Sequence, residues 1–404
     1  MITTELIRYA LANLLRRQRR SWLTVISVMI GIAAVTTLIS FGTGISSYVE
    51  SISQNMGKDK LIIQPRGFGF GPSLGSNVHL DNEDVDTVER VTGVAEATGM
   101  YVEGAEVESN KQKKFVFLAG ADMKEHRKLI DEVYSLKLVE GNELKGNEKT
   151  KAIFGYNYKV QDKIFKRPLT LRNTVLINGK EIKVAGFYDK VGNPQDDSNV
   201  YITSDAAEEV FNAKSYFYIL ARSNPGVAPT QLTESIKKEL RHHRNQKEGA
   251  EDFFVQTFEQ VIATFNAILS VITGVVVLIG LISIIVAAVN IMNTMYAAIL
   301  ERTKEIGIFK AIGSKNIYIL TVFVFESGTL SLVGGILGII LGYALATAAG
   351  SAIAQAGYSA FSPKFTWQLA AGSLAFSAIV GILSGLLPAY RASKLEPIEA
   401  LRYE

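Results

Sequence analysis

Charge is missing from four long stretches of this chain, and that limits the fold more than any motif does. Residues 21–49, 260–300, 327–363 and 365–390 contain no Asp, Glu, Lys or Arg. A helix needs about 20 apolar residues to cross a bilayer core, and each stretch is longer. The third is apolar from 316 onward, broken only by Glu326. The stretches predict transmembrane helices near 22–45, 265–292, 318–348 and 367–388. Of 42 basic and 39 acidic residues, 29 and 32 lie between 46 and 262. A water-soluble insert is thus spliced into a very apolar remainder, which excludes a single globular domain, a disordered chain and a fibre. A net charge of +3 is too small to argue for nucleic acid. The absence of Cys excludes disulfides, thiolate metal sites and Cys nucleophiles. Two of the four His, His242 and His243, sit in the run RHHRNQK, which reads as solvated.

Basic residues set the orientation. Arg8, Arg16, Arg17, Arg19 and Arg20 precede the first span; Arg302, Lys304, Lys310 and Lys315 lie between the second and third; Arg391, Lys394 and Arg402 lie in the tail. Only Lys364 lies between the third and fourth. Basic residues gather on the cytoplasmic side of a membrane. The pattern therefore predicts a multi-pass protein of the cell membrane with both termini cytoplasmic. Residues 1–21 are a cytoplasmic amphipathic segment, 46–262 are extracytoplasmic, 296–315 are a cytoplasmic segment, and 389–404 are a cytoplasmic tail. The first apolar run is about twice the length of a signal peptide's, so it reads as a retained anchor.

Within the spans, Gly334, Gly338 and Gly342 recur every four residues, as do Gly381 and Gly385. Such spacing puts glycines on one helix face and lets another helix approach closely. Packing within the chain and a homodimer seam both satisfy it. Glu326 is an acid inside a span, where a functional role or an interfacial anchor is expected.

The insert reads as α+β. KDKLIIQP (58–65) is a strand, 80–91 a helix opening with acids, and 94–107 extended. A second unit follows the same order: YFYILA (216–221) as strand, the turn Asn224-Pro225-Gly226, a helix over 229–244 with Leu232, Ile236 and Leu240 four apart, and a strand at 252–257. Asn178-Gly179 signals a hairpin between them, and Gly192-Asn193-Pro194 a turn. Segments 57–117 and 212–258 are read as halves of one split α+β subdomain, with 118–211 a mainly β subdomain inserted between them. The acids Asp81, Glu83, Asp84 and Asp86 fit a helix start better than a cation site. GFGFGPSLG (67–75) reads as a flexible external loop. No phosphate-cradling G-x-x-x-x-G-K-[ST], no H-E-x-x-H and no G-x-S-x-G occurs. The sequence offers no catalytic or metal residues and no cofactor site.

ERTKEIGIFKAIG (301–313) predicts a short cytoplasmic helix. Ile306 and Phe309 share a face that Ala311 and Ile312 extend; Glu301, Lys304 and Glu305 can pair across turns; and Gly313 can end it, with Lys310 in the last turn. A charged face with a short apolar ridge suits docking into a groove on a partner.

Three passages now carry a resemblance: ANLLRRQRRSWLTVISVMIGIAAV, ERTKEIGIFKAIGSK and GLLPAYRASKLEPIEALRYE, with VLINGKEIKVAGFY and SNVYIT in the insert. They resemble the permease subunits of MacB-type ABC transporters, the group that includes LolC/LolE and FtsX-like permeases, over essentially the whole chain. The fold implied is an α-helical membrane protein with four transmembrane helices plus an α+β extracytoplasmic domain, its split part Porter-like and its β-rich insertion Sabre-like. The nucleotide-binding domain that full MacB carries is missing, so the resemblance places the ATPase on a separate subunit and no enzyme activity on this chain. It implies a permease homodimer in the lipid bilayer on two copies of that ABC ATPase, room for an extracytoplasmic partner, and no nucleic acid. It puts ATPase coupling on Glu301, Arg302, Glu305, Ile306, Gly307 and Ala311. The expected activity is mechanotransmission: ATP-driven motion passed to the external domain for export or handling of peptides, lipoproteins or drugs. The alternatives are an FtsX-like regulator of extracytoplasmic enzymes or a ligand sensor, which the short tail after Tyr390 disfavours.

Overall fold

A computed structural model describes residues 18–66, 79–211, 215–358 and 361–402. Residues 1–17 of the N-terminal segment and the loop 67–75 lie outside them. The chain begins with helix α1 (Gln18–Met56), strand β1 (Lys60–Pro65), helix α2 (Asn82–Glu89) and the long strands β2 (Val94–Ser109) and β3 (Gln112–Ala121). Helix α3 (Arg127–Tyr134), β4 (Leu138–Gly141), β5 (Lys151–Phe154), β6 (Thr174–Ile177), β7 (Lys180–Tyr188), β8 (Val200–Thr203) and α4 (Ser204–Phe211) follow. Then come β9 (Tyr218–Ser223), α5 (Pro229–His243) and β10 (Phe253–Thr257). The rest is helical: α6 (Phe258–Glu301), α7 (Thr303–Ala311), α8 (Asn316–Gln355), α9 (Trp367–Ser393) and α10 (Pro397–Arg402). Two compact units result, one of residues 47–267 with 353–361, the other of the rest.

In the first unit all ten strands join one sheet, ordered β10-β1-β9-β2-β3-β8-β5-β7-β4, with β6 pairing β2 and β7. The pairings are antiparallel except β3 with β8 and β5 with β7. KLIIQP is apolar in succession because both faces of β1 are covered: Leu61 and Ile63 join the core under α2 and α5, and Ile62 joins the core holding Leu129 and Ile130 of α3. The strands of 57–117 and 212–258 stand together at one end of the sheet, and the 117/118 boundary falls inside β3. Asn178 and Gly179 both take positive φ, as a two-residue hairpin turn requires.

The acidic run at 81–86 is a helix start. The Asp81 side chain accepts from the Asp84 backbone N–H and Asp84 accepts from that of Asp81, closing a capping box. The run RHHRNQK departs from its solvated reading. His242 and His243 are exposed, but Arg244 donates to Asp84 at 2.9 Å and Asp252 at 3.0 Å, and Arg241 donates to the buried Glu251 at 3.0 Å. Glu251 and Asp252 lie just beyond the run, whereas Asp84 comes from a distant segment that the local sequence does not announce.

Among the described residues four helices, lying mostly in the second unit, are long and apolar enough to cross a membrane: Trp22–Ser51, Phe258–Glu301, Asn316–Gln355 and Trp367–Ser393. Each contains one predicted span. They run longer because nothing breaks a helix where the bilayer ends; α6 continues for 44 residues until Arg302. Small residues and hydroxyls make the contacts between helices. A methyl group placed on Gly334 would stand 2.8 Å from the Val28 Cβ, and one on Gly338 2.8 Å from both the Ile32 Cβ and the Met29 carbonyl oxygen. One on Gly342 would run into the Thr36 hydroxyl. The face of these three glycines is therefore occupied by α1 of the same chain. Helices α8 and α9 exchange hydrogen bonds: the Ser331 hydroxyl donates to the Ser377 carbonyl at 2.6 Å, and Ser377 returns one to Ser331 at 2.5 Å. Thr24 and Thr294 join α1 to α6 at 2.7 Å.

Candidate functional site

Helix α6 stops at Arg302, whose φ of −112° and ψ of 17° leave the helical region, and α7 starts one residue on. The Thr303 hydroxyl donates to the Ile299 and Leu300 carbonyls, both at 3.0 Å, which gives the end of α6 a side-chain donor at the break. The other end of α7 closes on Gly313, at φ +91°. Its N–H reaches the Lys310 carbonyl at 3.0 Å, and the Ser314 N–H reaches that of Phe309 at 3.0 Å. This pair of bonds is a Schellman motif, and the left-handed turn it needs favours glycine. So α7 is a discrete helix rather than a continuation of α6.

Three side chains key α7 into the bundle. Ile306 is buried in a cluster with Ile299, Ile319, Phe323 and Ala389. Lys310 Nζ donates to the Leu395 carbonyl at 2.6 Å, tying α7 to the segment that leads into α10. Arg302 is buried at the break. Its Nε donates to Glu305 at 3.0 Å, its Nη1 donates to Glu326 at 3.2 Å, and the guanidinium lies 5.2 Å from the Phe323 ring centroid. The lone acid of α8 therefore has a cation partner contributed by the α6–α7 junction.

Of the residues expected to couple, Arg302, Ile306 and Gly307 are buried, whereas Glu301, Glu305 and Ala311 are exposed. Arg302 and Glu305 are brought into an ion pair with each other. The pairing expected among Glu301, Lys304 and Glu305 is replaced by Glu305 with Arg302, because the guanidinium sits at the preceding turn. The expected ridge also changes. Ile306 turns inward, and the outward apolar residues are Ile308, Phe309 and Ile312, at 54%, 40% and 74% exposure. The reasoning from sequence missed Glu326 and Phe323 as partners of Arg302. Their signal was an acid early in one span and a basic residue just beyond the end of another.

The comparisons with known proteins agree with this architecture. Residues 21–239 match the MacB-like periplasmic core domain family, and residues 277–397 match the FtsX-like permease C-terminal family. An uncharacterised ABC transporter permease of Methanocaldococcus jannaschii is 36% identical over all of this chain and 99% of its own. An ABC transporter permease of Bacillus subtilis, YknZ, is 29% identical over all of both chains. The macrolide export ATP-binding/permease protein MacB of Neisseria gonorrhoeae is 28% identical over 98% of this chain, which spans 60% of that longer protein. With both family regions in the order its sheet domain and helical bundle require, and a relative aligned end to end, this chain is a membrane protein that belongs to the MacB/FtsX-type ABC transporter permeases.

Proposed function

We propose that this permease transmits the closing of a separate ABC ATPase through α7 to its extracytoplasmic domain, and that two copies of the ATPase serve a permease homodimer. The observation that carries this reading is the two-sided character of α7. Its inner side is fastened by Arg302, Ile306 and Lys310, while its outer side offers Ile308, Phe309 and Ile312 beside Glu301, Lys304 and Glu305. A partner groove that buries the outer ridge can move the bundle only if the inner side is keyed to it. In this reading both termini are cytoplasmic and residues 46–262 lie outside. The Porter-like part is 57–117 with 212–258, and the Sabre-like part is 118–211. The work done is export or handling of peptides, lipoproteins or drugs. This chain hydrolyses no ATP itself.

The variant Glu305→Lys tests it. Glu305 is more than half exposed, so losing its pair with Arg302 costs the fold below about 1 kcal/mol. Expression and dimerisation should hold, while the ATPase should fail to co-purify or its hydrolysis should be uncoupled from transport. Co-purification together with unchanged transport would reject α7 as the coupling element.

A further inference from the structure

Strands β5 and β7 run parallel, and their register sets Lys151 beside Lys183. Like charges facing each other across a ladder are unfavourable, yet Lys145 and Arg172 are added to the same neighbourhood. All four line one cleft of about 830 Å3, floored by the buried Leu144 and Val184 with Leu171 beside them. Its carboxylates are already engaged. Glu148 accepts from Lys151 at 2.6 Å, and Glu143 stands 3.2 Å from Arg127 of α3. Among the described residues, no carboxylate lies within ion-pair distance of Lys145, Arg172 or Lys183. Arg172 also takes a left-handed backbone, φ +68°, unusual for a residue with a side chain. Hydrogen bonds to β7 hold it there: its N–H reaches the Val184 carbonyl at 3.1 Å, and the Val184 N–H reaches the Asn173 carbonyl at 2.9 Å. Local strain of this kind persists where the surroundings impose it and points to use.

We propose that this cleft binds an acidic peptide segment, with its carboxylates on Lys145, Arg172 and Lys183 and its apolar side chains against Leu144, Leu171 and Val184. The cations are spread around an apolar floor, which suits several separated carboxylates. A compact phosphate is favoured by backbone N–H groups converging on one point. Here the N–H groups of Asn142, Arg172, Lys183 and Val184 are all taken by carbonyls. The volume falls in the range of ligand clefts. The inference rests on the extracytoplasmic domain handling the cargo, but the binding it predicts needs no ATPase.

The full chain in lipid nanodiscs, without ATPase, is titrated against a fluorescein-labelled peptide of alternating glutamate and leucine, and anisotropy is read. The wild type should bind it, and a glutamine–leucine peptide should bind at least about tenfold more weakly. The double variant Arg172→Asn with Lys183→Gln should lose at least about tenfold in affinity; both side chains are exposed, and Asn tolerates the left-handed backbone. Lys113→Gln with Lys114→Gln on β3 removes the same charge elsewhere and should keep the affinity. Unchanged binding by the Arg172/Lys183 variant, an equal loss in the β3 control, or equal binding of the glutamine–leucine peptide would overturn the site. Displacement of the peptide by dodecyl phosphate but not by unlabelled glutamate–leucine peptide would overturn the ligand class. A failed Glu305→Lys test would leave this measurement standing.

Discussion

In the extracytoplasmic sheet large aromatic side chains are fully buried: Phe154, Tyr158, Phe187 and Tyr201. In the membrane bundle the closest helix contacts are made by small residues: Gly334, Gly338, Gly342, Ser331 and Ser377. Water makes the difference. Taking a Phe or Leu out of water is worth about 1.5–3 kcal/mol, so the sheet gains from bulk. Lipid tails are as apolar as Leu, so helices gain nothing by hiding it from lipid and associate through close packing and hydrogen bonds. One unit should therefore be sensitive to lost volume and the other to added volume.

The largest effect should come from removing bulk from the sheet. Leu220→Ala empties a fully buried position and should cost the extracytoplasmic domain about 3–4 kcal/mol, read by denaturant unfolding. A cost below about 1 kcal/mol would mean that this core is loosely packed. The converse change, Gly338→Leu, forces a branched side chain onto the Met29 carbonyl and Ile32, and should destabilise the bundle by about 3 kcal/mol. Its near-isosteric neighbour Ile339→Leu should cost under about 1.5 kcal/mol. Equal behaviour of the two variants in steric-trapping measurements would remove the packing role of the glycine face.

A smaller effect separates the units by pH. Burial, reinforced by the neighbouring Asp197 carboxylate, pushes the Asp196 carboxyl up to about 6. The folded domain thus prefers the protonated acid. That stability is fully present below the unfolded value of about 4 and is lost as pH rises through about 6. The domain should be more stable at pH 5 than at pH 7, and Asp196→Asn should flatten that slope and gain about 1 kcal/mol at pH 7. An unaltered slope in the variant would assign the pH dependence to other groups. The smallest effect should be Ser331→Ala in the bundle. It removes one interhelical hydrogen bond, for about 0.6 kcal/mol by the same trapping measurement. A loss of several kcal/mol would mean that polar contacts outweigh packing there.

The sequence disclosed most where one physical requirement acts alone. Bilayer thickness fixed the four spans, helix chemistry fixed the acidic helix start at 81–86 and the stop at Gly313, and Asn178-Gly179 fixed its hairpin. It disclosed least where partners come from far along the chain. Nothing near Arg244 announces Asp84, and nothing near Arg302 announces Glu326, 24 residues away. The helix at 301–313 was legible as an element, but which side faces inward was not. Ile306 and Phe309 are equally apolar, and only the bundle decides that Ile306 is the one it buries. The continuity of the sheet across β3 was hidden for the same reason, since register with β8 is a tertiary fact.

The two partners of Arg302 give the α6–α7 junction unequal compliance. Glu305 is 57% exposed and Glu326 15%. The outer pair lies in screened surroundings and opens at a cost below about 1 kcal/mol. The inner pair is largely out of water, where breaking an ion pair costs more than at the surface. Opening of the outer pair therefore leaves α7 held by Ile306, by the Lys310 bond to the Leu395 carbonyl and by the guanidinium on Glu326. The exposed end of α7 can thus loosen locally while its attachment to α8 persists.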